Sequence, residues 1–577
     1  MGDFIFSVKI YTINDMKDNE IFIEGCLMLI SKIRSAIAVF ACIFLSGFVL
    51  AEQMPVVDKT SKQLLINNQA YLMLGGELAN SSAASSAYLN QIWPKLTAMN
   101  LNTVLVPIYW ELMEPKEGEF NFDLLDTALK NARANRMKLV LLWFGSWKNS
   151  MSCYTPAWVK NDPVRFPLVE NRDGKKQAIL SPFSQNNLQA DIRAYSALLS
   201  YLKKVDAEKT VIMIQVENEV GMLPDARDFN AAANSAYEDA VPTALINYLQ
   251  QSKNTDAVIS AWRKQGSLTS GPWKQVFGDS IATEEFFIAW YLARYTDAVA
   301  AAGKAIYPLP TFVNAALNRP NALPGQYPSG GPLPHIFSIW KSATSAIDVL
   351  SPDFYNPNFT QWNDLYFSED NPLFVPEIKM EDSNAAKAYF AIGHYKALGF
   401  SPFSIDSALK PAEVPLSKAY SHLATLAPLI SQAKVNSAKT KANFIDGILL
   451  DKERSSAKIV FGDIEITLKH EFTLSWSSGA KQEVWPEVGA LIIRLSEKEF
   501  LFAGSGVVAT FKDATQKNTI GIESIWEGVY TPAKDSKNTM PVWKPGRLLN
   551  GDESHQGRHL NLTYGEFQTQ RIVLYKY

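Results

Sequence analysis

The segment “TVIMIQVENEVGM”, residues 210–222, starts as an apolar run and ends with two carboxylates around an amide, Glu217, Asn218 and Glu219. A near-continuous run of β-branched and other apolar residues is typical of a parallel strand that is covered on both faces. Carboxylates follow such a run where the chain leaves the core, because burying an unpaired charge is costly. We therefore predict a buried strand whose C-terminal end delivers polar side chains to a site.

Apolar runs of this kind recur and alternate with amphipathic or Ala-rich stretches such as “FDLLDTALKNARANR”. Eight of them over about 350 residues predict a (β/α)8 TIM barrel, an α/β fold. An open doubly wound sheet is the alternative, but “LGGELANSS” after the first strand lacks the G-x-G-x-x-G spacing of that fold. The eight predicted strands are “AYLMLGG” from Ala70, “NTVLVPIYW” from Asn102, “MKLVLLWFG” from Met137, “TVIMIQVEN” from Thr210, “TFVNA” from Thr311, “IDVLSPDFY” from Ile347, “NPLFVPE” from Asn371 and “GFSPFSID” from Gly399.

In the sequence that follows the predicted barrel, apolar residues recur with a different period. From about residue 442, apolar and polar residues alternate, as in “DIEITLK” and “RIVLYKY”. Such alternation is typical of antiparallel strands with one buried face. We predict a barrel over residues 52–435, with a helical insertion at about residues 222–309 between its fourth and fifth strands. A C-terminal antiparallel β-sandwich domain is predicted over residues 436–577.

The N-terminal segment has the features of an export signal. Lys32 and Arg34 precede the uncharged run “AIAVFACIFLSGFVL”, residues 36–50, whose length suits a signal peptide and is short for a membrane span. We predict a signal peptide at residues 1–51, with Met28 as an alternative start of translation. An uncleaved anchor is the alternative to cleavage. With cleavage, the mature protein is periplasmic or secreted and has no membrane contact.

Composition narrows the set of partners. The formal net charge of −3 and a pI near 6.2 argue against nucleic acid, which requires a basic surface. Removal of the signal leaves Cys153 as the sole cysteine, which excludes an internal disulfide and a cysteine-based zinc site. The oligomeric state stays open, with a homo-oligomer among the alternatives.

Two acidic residues stand at predicted strand ends. Glu219 follows the fourth strand, and Glu377 in “PLFVPEIKM” ends the seventh. The C-terminal ends of barrel strands meet at one face, where TIM-barrel enzymes carry their reactive groups. Cleavage of a glycosidic bond requires two facing carboxyl groups, one to protonate the leaving oxygen and one to attack the anomeric carbon or to activate water. A solvated loop position is the alternative for either residue, and Glu217 is the rival of Glu219 within the motif.

The chain resembles glycoside hydrolase family 35. That family's “QVENEYG” is similar to “QVENEVG” at residues 215–221, its “SGE” to “GGE” at 75–77, and its “GLNTV” segment to “WPKLTAMNLNTV” at 93–104. The resemblance covers roughly residues 64–406. It implies that Glu219 is the acid/base, that Glu377 is the nucleophile, and that the reaction retains configuration through a covalent galactosyl-enzyme. The C-terminal part resembles the β-sandwich that follows the barrel in a bacterial branch of the family.

The second and third strands depart from family 35. Its “YVFWNLHEP” reads “PIYWELMEP” here, which places Pro107, Glu111 and Met113 where the family binds galactose hydroxyls, and “LLWFGSWKNS” replaces its “CAEW”. Sugar specificity therefore does not carry over residue by residue. The segment “WELMEPKEGEFNFD” also resembles the “EP-x-x-G-x-F” of family 42 β-galactosidases.

Candidate sugar-binding residues lie at the same strand ends. Indole rings can stack on the apolar face of a sugar, and polar side chains can bind hydroxyls or orient Glu377. The resemblance implies that Asn218 binds the 2-hydroxyl of the sugar. Core packing is the alternative for each tryptophan, and a structural role for each polar residue. The tryptophans are Trp110, Trp143 and Trp147, and the other polar candidates are Glu77, Glu111, Asn149, Asn314 and Tyr355.

These features predict an exported, retaining exo-β-galactosidase that acts on an oligosaccharide without a cofactor or a metal. The resemblance to the bacterial branch implies galactose side chains of plant xyloglucan as a substrate. One alternative is a glycosidase of the same clan for another sugar, such as a β-glucosidase or an α-L-arabinosidase. The other is a non-catalytic carbohydrate-binding protein.

Overall fold

The computed structural model describes residues 53–253, 255–532 and 540–577. The predicted signal peptide at residues 1–51 lies outside the described residues. A three-stranded antiparallel sheet opens the described part, and its strands are Val56–Asp58, Gln63–Ile66 and Gln69–Tyr71.

Eight parallel strands close into a barrel in which each strand pairs with the next along the chain. This confirms the predicted (β/α)8 barrel, and each of the eight predicted apolar runs overlaps one of its strands. Strand β4 is buried along its whole length, as its apolar run requires. The strands are β1 Met73–Glu77, β2 Thr103–Tyr109, β3 Lys138–Phe144, β4 Val211–Val216, β5 Thr311–Ala316, β6 Val349–Phe354, β7 Val375–Ile378 and β8 Gly399–Pro402.

A main helix follows each barrel strand. Several of these helices begin at a serine that caps the first turn: the side chains of Ser85, Ser184 and Ser280 each accept a hydrogen bond from a backbone N–H three residues later. In the described ranges, no helix combines the length and the apolar character needed to cross a membrane. The helices are α1 Ser86–Ala98, α2 Asp123–Ala134, α3 Gln185–Val205, α4 Ile281–Ile306, α5 Phe337–Ala343, α6 Phe359–Tyr366, α7 Asn384–Gly393 and α8 Pro415–Thr440.

Additional elements lie at the end of the barrel where the strands finish. The helical insertion predicted between the fourth and fifth strands is present as four short helices that precede α4. A hairpin between β3 and α3 adds a small two-stranded sheet. The inserted helices are Ala231–Glu238, Thr243–Gln251, Ala257–Lys264 and Trp273–Phe277, the hairpin strands are Leu168–Glu170 and Lys176–Leu180, and two short helices, Trp110–Met113 and Ala157–Lys160, follow β2 and β3.

The C-terminal part forms two antiparallel sheets, as the alternating sequence predicts. The first sheet has the order β9-β12-β13-β18-β15-β16, and the second has the order β10-β11-β14-β17. Helix α8 runs to Thr440, so the predicted boundary at residue 435 falls inside it, and the first strand of the sheets starts at Ile445. The strands are β9 Ile445–Leu450, β10 Ser456–Phe461, β11 Ile464–His470, β12 Val488–Arg494, β13 Glu499–Ser505, β14 Val507–Asp513, β15 Ile520–Thr531, β16 Val542–Leu548, β17 Leu560–Leu562 and β18 Gln568–Lys576.

The part of the first sheet that β9, β12 and β13 form is buried on both faces. Along β12, Leu491 and Ile493 pack into the core that the barrel helices share, whereas Ala490 and Ile492 pack into the core between the two sheets. Successive side chains of a strand point to opposite faces, so one strand serves two cores. The sheet therefore lies between the barrel and the second sheet as a middle layer.

Helix α7 and this middle layer touch backbone to backbone at glycines. A Cβ atom at Gly489 of β12 would lie 2.5 Å from the carbonyl oxygen of Ala386, and one at Gly447 of β9 would lie 2.9 Å from the carbonyl oxygen of Phe390. Gly393 at the end of α7 approaches Asp446 in the same way. The absence of side chains at these positions sets the spacing between helix and sheet.

We expect Gly489→Ala to lower the free energy of unfolding by about 1–3 kcal/mol, because the new methyl group forces the helix away from the sheet. Chemical denaturation of both proteins measures the difference. Gly546→Ala is the matched control: Gly546 is exposed on β16, and a Cβ there meets nothing closer than 3.3 Å. Equal stability of the two variants would contradict the close contact.

Candidate functional site

The backbone turns sharply where β4 ends. Glu217 has a φ of 61° and Glu219 a φ of 45°, in the left-handed region that side chains other than glycine rarely adopt. Each such residue costs on the order of 1–3 kcal/mol, and strain of this kind persists where the surroundings over-determine it. The turn places three consecutive polar side chains in different directions at the end of the barrel.

Asn314 of β5 holds this turn in place. Its Oδ1 atom accepts a hydrogen bond of 3.1 Å from the backbone N–H of Glu219, and its Nδ2 atom donates to Asn218 at 3.0 Å and to Asp353 at 2.7 Å. Asn218 also accepts from Gln215 at 2.7 Å. The predicted acid/base is thus tied to two neighbouring strands through one buried amide.

Glu377 of β7 is 6% exposed, and Tyr355 donates a hydrogen bond to its Oε1 atom. The pKa of Glu377 is raised to about 7, first by burial and then by the negative charge of Glu219, while Lys148 and the Tyr355 hydroxyl oppose the rise. Because the charge of Glu219 affects the pKa of Glu377, the two predicted catalytic carboxyl groups belong to one electrostatically coupled site.

Two more buried acids belong to this cluster. Glu77, the last residue of β1, is 2% exposed, and Asp353 of β6 is 1% exposed. Burial is the largest cause that raises the pKa of each well above its usual value, and the charge of Glu377 adds to both. Four carboxyl groups at the ends of four strands therefore interact in one site, and burial raises the pKa of each of them.

One cation stands among these acids. The positive charge of Lys148 lowers the pKa of Glu77, Glu219, Asp353 and Glu377. Its ammonium group lies 5.1 Å from the centre of the Phe144 ring, and its backbone carbonyl accepts a hydrogen bond of 2.7 Å from Asn218. This lysine is 8% exposed, so solvent screens its charge little.

The loop that carries Lys148 is anchored by a second pair of buried acids. The backbone N–H of Trp147 donates to Glu217 at 2.8 Å, and the Ser146 hydroxyl donates to Asp191 at 2.6 Å. Burial raises the pKa of Glu217 well above its usual value, and the charge of Asp191 raises it further. Gly145 allows this approach, because a Cβ there would lie 2.9 Å from a Glu217 oxygen. Glu217 therefore anchors the loop that carries Lys148 and does not belong to the cluster of four carboxyl groups.

The prediction that tryptophans stack on a sugar is wrong for the conformation seen. Trp110, Trp143 and Trp147 are each 0% exposed, so no ring face is open to a ligand. The indole N–H of Trp110 donates to Glu114 at 2.7 Å, and that of Trp143 donates to Asp191 at 2.9 Å. These rings belong to the core that surrounds the strand ends.

The other predicted polar residues differ in how close they lie to the acids. Asn218 is 1% exposed, and its side-chain amide forms hydrogen bonds with Gln215 and with the backbone of Lys148. Its contact with a sugar stays a prediction. Asn149 accepts from the backbone N–H of Met151 at 2.9 Å. Glu111 pairs with Lys160 at 2.9 Å. Direct sugar contact stays a prediction for these two residues as well.

Two residues of the cluster were missed from the sequence. Lys148 lies four residues after the end of β3 in “WFGSWKNS”, and Asp353 is the penultimate residue of β6 in “SPDFY”. Neither fits the rule that singled out Glu219 and Glu377, namely a carboxylate at the end of a buried run. A wider search for charged residues close to the strand ends would have included them. Among the described residues, no group of three or more His, Cys, Asp or Glu side chains is arranged to hold a metal ion.

Comparison with known families gives two matches. Residues 84–269 match the model of glycoside hydrolase family 42, described as “Beta-galactosidase”, and residues 416–561 match a model described as “Domain of unknown function (DUF5597)”. The first match includes Glu219 and ends before Glu377. It does not support family 35 and indicates a different β-galactosidase family, in agreement with the “EP-x-x-G-x-F” pattern of residues 114–120.

Similar proteins are matched over part of their length. A β-galactosidase of Xanthomonas manihotis is 26% identical over 197 residues, which cover 33% of this chain and 30% of that protein. The solved β-galactosidase of Marinomonas ef1 is 12% identical with a TM-score of 0.44, covering 64% of this chain and 62% of that one. The β-amylase catalytic domain of Paenibacillus polymyxa is 11% identical with a TM-score of 0.44, covering 60% of this chain and 96% of that one.

We expect Glu377→Gln to change how stability depends on pH. The folded pKa of Glu377, about 7, lies above its ordinary value of 4.5, so its contribution to stability is complete below about pH 4.5 and is lost as pH rises through 7. The Glu377→Gln variant has no ionisable group at this position, so it does not lose this stability as pH rises. Its free energy of unfolding relative to the original protein should therefore rise by up to about 3 kcal/mol between these pH values.

Chemical denaturation at a series of pH values measures this difference. Glu523→Gln, which removes an exposed carboxylate on β15, is the control and should show a nearly constant difference. A constant difference for Glu377→Gln as well would contradict a raised pKa.

Proposed function

We propose that this protein is a retaining β-galactosidase that removes a terminal galactose, with Glu219 as acid/base and Glu377 as nucleophile. The observation that carries the proposal is the buried polar site at the ends of the barrel strands, where Asn314 binds both the backbone of Glu219 and Asp353, and Tyr355 binds Glu377. The match of residues 84–269 to the β-galactosidase model supports a glycoside hydrolase of this class.

The first step uses one acid and one carboxylate. Glu377 attacks the anomeric carbon while the glycosidic C–O bond breaks, and Glu219 gives its proton to the leaving oxygen. The product is a galactosyl ester of Glu377. The Tyr355 hydroxyl, which donates to Glu377 Oε1, stabilises the ionised form that this attack requires.

The second step reverses the proton transfer. Repulsion between two carboxylates is mutual, so Glu219 ionises more readily once Glu377 is an uncharged ester. Glu219 then takes a proton from water, the water oxygen attacks the anomeric carbon, and the ester bond breaks. Galactose leaves with its original configuration, and Glu377 is free as a carboxylate again. Lys148 stabilises the one negative charge that the pair holds at each stage.

The galactose, the exo mode and export belong to the same proposal. Galactose rests on the family match, and export rests on the signal-like sequence of residues 36–50, which lies outside the described residues. Xyloglucan side chains are proposed as the natural source of the galactose. Proton NMR of the first anomer released from an aryl β-galactoside tests sugar and stereochemistry together, beside aryl β-glucosides and α-L-arabinosides as comparison substrates. Release of α-galactose would contradict the retaining mechanism.

Azide should distinguish the two carboxylates. In Glu219→Ala, a 2,4-dinitrophenyl β-galactoside still forms the galactosyl ester because its leaving group needs no proton, and azide then yields β-galactosyl azide. In Glu377→Ala, azide attacks the substrate directly and yields α-galactosyl azide. With a poor leaving group and no azide, Glu219→Ala should lose about 10²–10⁴-fold in kcat.

The anomeric configuration of the azide is read by NMR. Exchanged products would reverse the assigned roles. Unchanged turnover in both variants would contradict catalysis by this pair. Absence of turnover in the original protein would instead leave a non-catalytic carbohydrate-binding protein as the better description.

We expect Lys148→Gln to move the pH profile of kcat/KM toward higher pH. The acidic limb reports ionisation of the nucleophile, and the basic limb reports loss of the proton from the acid. Lys148 lowers the pKa of both Glu377 and Glu219, so its removal raises both. Lys203→Gln, on the exposed face of α3, should leave both limbs in place. A shift of Lys148→Gln toward lower pH would contradict the proposed electrostatics.

A further inference from the structure

A cleft of about 760 Å³ lies between the barrel and the C-terminal domain. One wall comes from the loops that follow β6 and β7, and the other comes from residues 451–453, 483–485 and 487 of the C-terminal domain. The volume falls within the range of about 300–1,000 Å³ that is usual for sites that hold small molecules.

The cleft begins beside the predicted nucleophile. Ile378, the residue after Glu377, lines it, and so does Tyr355. The Tyr355 side chain is 48% exposed, yet its hydroxyl donates to Glu377 Oε1. A molecule in the cleft therefore touches a side chain that also touches the proposed reacting carboxylate.

The wall of the C-terminal domain carries groups that suit a saccharide. Trp485 lines the cleft with its ring held against His470 and Phe472, at centroid distances of 4.9 and 6.0 Å. Glu453 and Glu483 are exposed in the cleft, and neither forms an ion pair within the described residues. An aromatic ring gives an apolar surface for a sugar face, and carboxylates accept hydrogen bonds from hydroxyl groups.

The two walls are fixed relative to each other. Lys387 of α7 pairs with Glu381 at 3.5 Å on the barrel side and with Glu487 at 3.2 Å on the side of the C-terminal domain. The glycine contacts of α7 with β9 and β12 reinforce this junction. Fixed walls reduce the ordering that binding would otherwise require.

We propose that this cleft binds the part of the saccharide to which the cleaved galactose is attached, and that the C-terminal domain supplies one wall of the subsite. The inference rests on the proposed function. An exo-acting enzyme holds one sugar on one side of the broken bond, so every further unit of the substrate lies on the leaving-group side. The substrate class is therefore a galactose-terminated oligosaccharide of several units.

Trp485→Ala should separate long from short substrates. We expect kcat/KM to fall by about tenfold for a tetrasaccharide ending in β-galactose, because a stacking surface is lost. For 4-nitrophenyl β-galactoside, which does not reach the C-terminal wall, the change should stay below about twofold. Trp476→Ala is the matched control, since Trp476 is a 62% exposed tryptophan of the same domain outside the cleft.

The double variant Glu453→Gln/Glu483→Gln tests the same wall without disturbing a packed ring. It should lower kcat/KM for the tetrasaccharide and leave the aryl galactoside unchanged. Glu523→Gln, on β15 outside the cleft, should change neither. An equal loss with both substrates, or no loss with either in both wall variants, would overturn the subsite.

Binding to Glu377→Gln separates this inference from the proposed function. Calorimetry should show tighter binding of the tetrasaccharide than of methyl β-galactoside, and Trp485→Ala in that background should remove the difference. Equal affinities would overturn the subsite even if the original protein hydrolyses galactosides. Failure of the original protein to hydrolyse 4-nitrophenyl β-galactoside would overturn the proposed function instead.

Discussion

The buried ammonium group of Lys148 is the charge on which the site depends. Four carboxyl groups, from Glu77, Glu219, Asp353 and Glu377, share a space that water hardly enters. Their mutual repulsion and desolvation favour the protonated forms, and the single cation lets part of the cluster ionise. Burial and the charge of Lys148 therefore act in opposite directions on the pKa of each carboxyl group. The anchored loop after β3, with Ser146 and Trp147 bound to buried acids, keeps the cation in position.

The fold could be predicted because its signals are local. Each barrel strand is a short apolar run, and a parallel strand covered on both faces needs such a run whatever its neighbours are. The predicted boundary at residue 435 lies within α8, because this helix continues to Thr440 and accommodates Pro428 in its interior. The burial of both faces of β12 was not predicted. Alternation of apolar and polar residues shows that the two faces of a strand differ, but it does not show that each face packs against a core of its own.

The site could be predicted in part for a similar reason. Glu219 and Glu377 were singled out because each stands at the end of a buried run, where TIM-barrel enzymes carry their reactive groups, and the family resemblance implies the same pair. The sequence does not tell whether an aromatic residue at a strand end faces a ligand or the core, and three tryptophans were assigned to the wrong side. Lys148 lies four residues beyond the end of β3, and only the folded loop returns it to the acids.

The glycine contacts between α7 and the middle sheet have a mechanical consequence. Helix α7 follows β7, the strand that bears Glu377. The outer surface of α7 packs against the backbone of the middle sheet and not against water. The C-terminal domain thus supports, through α7, the strand that carries Glu377, and no layer of side chains separates the two backbones at these glycines. A barrel of this type that stood alone would need a different α7, with larger polar side chains in place of the bare surface seen here.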